Sequence, residues 1–136
     1  MRLITYIYDV LPYFNHHIVN GEVVMISDSN CVNVVQKVVE YLMTGKFSTA
    51  LHSKGQNVNI LESIYNSSFT PTTIDELKKS MIEGEIGIIY CYKNQLDPRG
   101  HVFNITKKSG TKLLDGQFGT IAKIGNYKYF EYLKIN

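Results

Sequence analysis

Cys31, His101 and Asp115 are the residue types of a thiol-based acyl transfer, and each sits in a stretch suited to its part. In such chemistry a thiolate attacks an amide or carboxamide carbonyl while an imidazole takes the proton and later returns it. A carboxylate on the other ring nitrogen fixes the tautomer and stabilises the imidazolium. Cys31 lies in Ser27-Asp28-Ser29-Asn30-Cys31-Val32-Asn33-Val34-Val35, which reads as a helix start with Ser29 or Asn30 as N-cap. A cysteine in a first helical turn meets unpaired N–H donors and the positive end of the dipole, and both favour the reactive thiolate. A lone cysteine is more often a small core residue, so the reading depends on whether a histidine and a carboxylate meet it.

Counting along a hairpin brings the other two together. Lys108-Ser109-Gly110 reads as a three-residue loop with glycine where φ is positive. Lys107 then pairs with Thr111, Phe103 with Asp115 and His101 with Gln117. Cross-strand partners share a face, so His101, Asp115 and Gln117 point the same way. Diagonal neighbours have Cβ atoms about 7–8 Å apart, within reach of an imidazole and a carboxylate. Asn104 falls on the opposite face, in a structural position. Gln117 is a candidate for a structural hydrogen bond or a substrate contact, and Asn30 for a substrate or oxyanion contact. The other candidates have plainer roles. His16 and His17 are adjacent and so face opposite ways on a strand, His52 falls in a solvated loop, and Cys91 follows Ile88-Ile89-Tyr90 in an apolar run that marks it as core.

The elements that must hold these residues follow from periodicity and punctuation. Val34, Val35, Val38, Leu42 and Met43 give the apolar face of the Cys31 helix, and Gly45 stops it. Pro12 and Asn20-Gly21 break the apolar, Tyr-rich stretch before it, and Glu22 to Ile26 reads as a strand leading in. Lys46 to Asn59 reads as a loop and Ile60 to Tyr65 as one or two helical turns. Thr73 with Glu76 forms a capping box for a helix with Ile74, Leu77 and Met81 inward, stopped at Gly84. Ile86 to Tyr92 reads as a central strand, and Lys93 to Gly100 as a loop turning at Asp97-Pro98. After the hairpin, a strand through Thr120 to Ile124 turns at Gly125-Asn126 and returns through Tyr127 to Ile135. Helices first and antiparallel strands second define an α+β order, with residues 1–136 as one domain.

Totals narrow the function classes. A hydrophobic fraction of 44% with 19% charged residues describes an ordinary globular chain. Arg2 and Arg99 are the only guanidinium groups among scattered lysines, which neither excludes nor suggests a nucleic-acid face, and no nucleic-acid partner is expected. There is no apolar run long enough to span a membrane and no secretory leader, so an exported form is expected as part of something larger. Two cysteines make no disulfide framework, and no Cys/His spacing fits a zinc site, so neither metal nor cofactor is expected.

Asn30-Cys31-Val32, Gly100-His101-Val102-Phe103-Asn104 and Leu114-Asp115-Gly116-Gln117 together resemble the three motifs of the bacterial papain-fold toxin family. The resemblance spans roughly residues 27–119. It implies a papain-like fold in which N-terminal helices, with the nucleophile at a helix start, pack on a C-terminal antiparallel sheet. It implies Cys31 as nucleophile, His101 as general base and acid, and Asp115 as the orienting residue. Papain-type proteases carry a glutamine oxyanion donor six residues before the nucleophile. Here that position is Met25, so an oxyanion site needs backbone N–H groups and some other donor.

The family is associated with glutamine deamidation by toxin domains of polymorphic and contact-dependent systems. The resemblance therefore implies delivery from a larger secreted bacterial toxin, action on a protein in the target-cell cytoplasm, and a cognate immunity protein as partner. Proteolysis and acyl transfer to an amine use the same three residues. A binding module that kept the fold without its chemistry is the rival from another class, and retention of all three residues argues against it.

Overall fold

The computed structural model describes residues 3–52 and 54–136, with an α+β architecture built on a six-stranded antiparallel sheet. Helix α1 (Leu3–Val10) runs into a 3-10 turn (Leu11–Phe14), and a separate ribbon of β1 (His16–Val19) and β2 (Glu22–Met25) follows. Helix α2 (Cys31–Thr44) comes next, then the coil 45–59 and α3 (Ile60–Tyr65). The remaining elements are β3 (Thr70–Thr72), α4 (Ile74–Ser80), β4 (Ile86–Asn94), β5 (Asp97–Lys107), β6 (Thr111–Asp115), β7 (Thr120–Ile121) and β8 (Tyr129–Lys134). The sheet order is β3-β8-β4-β5-β6-β7, with β4 internal as its continuous apolar run requires.

Strand alternation divides the core in two. Ile86, Ile88, Val102, Leu114 and Leu133 face α1 and α2, meeting Ile7, Leu11, Phe14 and the buried valines of α2. Ile89, Cys91, Phe103, Ile105 and Tyr132 face the other way, against Ile74 and Leu77 of α4 and Met81 just after it. Buried area rather than propensity holds α2, whose run of valines is a weak helix former. Its apolar side is Val32, Val34, Val35, Val38, Val39, Tyr41 and Leu42, all buried. Met43 is 54% exposed, against expectation, because it lies on the polar side with Gln36 and Glu40. Gly45 ends the helix in the left-handed conformation, its N–H donating to the Tyr41 carbonyl at 2.8 Å.

Three expectations need correction. Helix α4 starts at the expected cap, with Thr73 Oγ1 accepting from the Glu76 N–H at 3.1 Å, but ends at Ser80 because Met81 turns extended. The segment 93–100 is not a loop: β4 and β5 continue to a tight turn at residues 95 and 96. Asn94 Oδ1 accepts the Leu96 N–H at 2.8 Å and starts that turn, and a register shift sits between Tyr92 and Asn94. Strand β7 covers only Thr120–Ile121 and does not pair with β8; β8 crosses the sheet to lie between β3 and β4. Helix α1 and strand β3 have no counterpart in the periodicity reading.

Candidate active site

The hairpin register is as counted: Lys107 pairs with Thr111, and the ladder runs to Asn104 opposite Leu114. His101 and Asp115 therefore share a face, and Nε2 of His101 meets Oδ2 of Asp115 at 2.8 Å with both side chains largely buried. This leaves Nδ1 free of Asp115, and Cys31 lines the same cleft as the imidazole and acts on its titration. Burial disfavours the imidazolium, but the Asp115 carboxylate and the Cys31 sulfur outweigh it and raise the His101 pKa to about 9. Cys31, at the first position of α2, is partly exposed and lines an open cleft of about 590 Å³ with His101, Gln117, Tyr90 and Phe118.

A close approach of backbone to helix brings the three residues together. After Asp115 the chain leaves the ladder in a turn over residues 116–119. Gly116 passes so near α2 that a Cβ there would lie 2.8 Å from Val34 Cγ1 and 3.0 Å from Val38 Cγ2. The other Asp115 oxygen, Oδ1, accepts the N–H groups of Gln117 at 3.1 Å and Phe118 at 3.3 Å. One carboxylate thus holds the imidazole and shapes the turn. Gln117 consequently does not pair with His101 in the ladder as the register alone suggests; it sits in the turn, buried, beside the start of α2.

Asn30 occupies the N-cap position, yet its side chain makes no cap hydrogen bond, contrary to the sequence reading. Its Nδ2 donates to Asn15 Oδ1 at 2.8 Å and to the Leu51 carbonyl at 3.1 Å, while its Oδ1 accepts from Gln117 Nε2 at 3.4 Å. Asn15 Nδ2 donates in turn to the carbonyls of Ser27, at 2.7 Å, and Gln117, at 3.0 Å. Both Asn30 amide hydrogens are engaged, so this amide is not an oxyanion donor in this arrangement. The Asn30 carbonyl accepts the N–H groups of Asn33 and Val34, which leaves those of Cys31 and Val32 as the helix-start donors ahead of them. Asn15 is the member of this network that the sequence reading missed. An asparagine between Phe14 and a strand is a weak signal, and nothing local couples it to Gln117.

The remaining candidates fall outside the cluster. His16 is held by a 2.6 Å contact between its Nδ1 and the Pro12 carbonyl, His17 is exposed on the other side of β1, and His52 is exposed. Cys91 is buried, and burial pushes its thiol up to about 12 despite a hydrogen bond to the His101 carbonyl at 3.4 Å. Asn104 faces α2, donating to the Val35 carbonyl at 3.1 Å. Gly55, Gln56, Asn57 and Val58, at the end of the coil read as a loop, form a wall of the cleft. Among the described residues no cluster of His, Cys, Asp and Glu is arranged to hold a metal, and no helix is long and apolar enough to cross a membrane. No known protein family, curated protein or solved structure matches the chain.

Proposed function

We propose that the chain is a papain-like cysteine hydrolase that deamidates a glutamine side chain of a protein. The observation that carries this reading is the His101–Asp115 pair at 2.8 Å lining one cleft with Cys31, which stands at a helix start. The Cys31 sulfur attacks the carboxamide carbon, and the tetrahedral oxyanion takes hydrogen bonds from the N–H groups of Cys31 and Val32. His101 protonates the departing nitrogen, ammonia leaves, and a thioester remains on Cys31. Water then gives a proton to His101 and its oxygen to the acyl carbon, which releases glutamate and restores the thiol. Asp115 holds Nε2 so that Nδ1 faces the sulfur throughout.

Deamidation is chosen over peptide cleavage on the motif resemblance, and on the same ground the proposal takes the chain as a toxin domain carried by a larger secreted bacterial protein. In that setting it acts in the cytoplasm of the target cell, with an immunity protein as partner. Peptide mapping of proteins from cells expressing the wild-type chain or Cys31→Ala tests the assignment. Glutamines turned to glutamates only with the wild type support it. New chain termini would instead assign a protease, new isopeptide links a transferase, and identical maps would remove the enzymatic reading.

A further inference from the structure

From the cleft, one face of the sheet carries an unbroken row of aromatic rings. Tyr90 lines the cleft, and on β4 it shares its face with Tyr92 two residues on. Tyr92 pairs with Tyr129 of β8 and Tyr90 with Glu131, so all four side chains lie on that face. The Tyr90 and Tyr92 ring centres are 5.0 Å apart, and Tyr92 stacks on Tyr129 at 5.4 Å with an 18° interplanar angle. Phe69 closes the row beside Tyr90 at 6.2 Å. Tyr129 is 37% exposed, and Glu131, partly exposed, accepts the Tyr92 hydroxyl at 2.7 Å.

His101 aside, the charged side chains of this row and cleft are carboxylates. Glu131 stands within the row and Asp28 lines the cleft, while no lysine or arginine is among the described residues lining it. Tyrosine faces attract cations through the ring quadrupole, and a carboxylate beside them repels phosphate and acidic side chains. We propose that this row is a docking strip for a cationic stretch of the substrate polypeptide, with arginine or lysine next to the residue that enters the cleft. The proposal rests on the hydrolase reading for its direction, because the strip ends at Cys31 and His101. Stacked aromatics also serve single-stranded nucleic acid, but they do so beside a basic groove, and the charged side chain within this row is a carboxylate, Glu131.

Binding to the Cys31→Ala chain tests the strip apart from the chemistry. Three fluorescent probes suffice: a glutamine peptide flanked by arginines, the same peptide flanked by glutamates, and an oligothymidylate. The arginine peptide is expected to bind about tenfold more tightly than the glutamate peptide, with affinity falling as salt rises. Tyr129→Ala and Glu131→Gln should each reduce that preference by about threefold or more, while Tyr129→Phe, which keeps the ring face, preserves it. Circular dichroism establishes that each variant is folded. Equal affinity for the two peptides, no binding by the arginine peptide, tighter binding of the oligothymidylate, or indifference to Tyr129→Ala overturns the proposal. A wild-type chain that binds the arginine peptide but releases no ammonia from it leaves the strip standing and removes the amidohydrolase.

Discussion

The Asn15 amide donates to the Gln117 carbonyl at 3.0 Å across 102 residues of chain, and this bond ties the start of α2 to the turn that carries Asp115. Asn15 also holds the Ser27 carbonyl and accepts from Asn30, the residue immediately before Cys31. The segments that carry Cys31 and Asp115 are thus fixed to each other through a buried amide network.

Asn15→Asp keeps the oxygen that accepts from Asn30 but removes both donated hydrogens, leaving the Ser27 and Gln117 carbonyls without this partner. Burying unsatisfied groups costs about 1–3 kcal/mol each, so a loss of about 2 kcal/mol or more is expected in chemical denaturation. In the fraction that remains folded, turnover should fall more than substrate affinity, because the strip and cleft walls are untouched.

Gly116→Ala places a methyl against Val34 and Val38. Overpacking of this kind costs about 1–3 kcal/mol, and it also pushes the Asp115–Gln117 turn away from Cys31. The double variant Gly116→Ala/Val34→Ala should recover more activity than the two single effects predict, which a double-mutant cycle measures.

Asp115→Asn exposes the division of labour within that side chain. The two turn N–H groups need an acceptor, so the asparagine oxygen stays with Gln117 and Phe118 and its amide faces His101 Nε2. An N–H donor there selects the tautomer with the proton on Nδ1, which cannot accept from a thiol. Wrong-tautomer variants lose on the order of 10⁴ in turnover, and a large fall with the fold retained is expected here.

The pH dependence follows from the raised His101 pKa of about 9. The folded value lies above the unfolded value of about 6.5, so the stabilisation is fully present below pH 6.5 and is lost as pH rises through about 9. Its size is on the order of 3 kcal/mol. The wild type should therefore exceed His101→Gln in unfolding free energy most at mildly acid pH, with that advantage largely gone above the His101 titration. Magnetic resonance of the His101 ring protons should place the midpoint near 9, falling in Asp115→Asn.

The site was legible where local rules decide it. Period-two alternation and one glycine determined the face shared by His101 and Asp115, and valine spacing placed Cys31 at a helix start. What escaped depends on distant partners. Asn30 looked like a cap because caps are local, yet Asn15 and Gln117 draw its side chain away from the helix. Asp97-Pro98 resembled a turn, but Asn94 forms the turn two residues earlier, and Pro98 falls near the register shift, where a missing N–H is tolerated. The placement of β8 between β3 and β4 is a matter of sheet order, which no window along the chain encodes.

The central claim, that Cys31 is the nucleophile, is tested most directly by acid-quenching the wild-type chain during reaction with a glutamine peptide and measuring its intact mass. The account predicts a transient adduct equal to the peptide less ammonia, mapped to the Cys31 fragment, absent from Cys91, and absent altogether in Cys31→Ala and His101→Ala. Sustained ammonia release from the peptide by folded Cys31→Ala would contradict it.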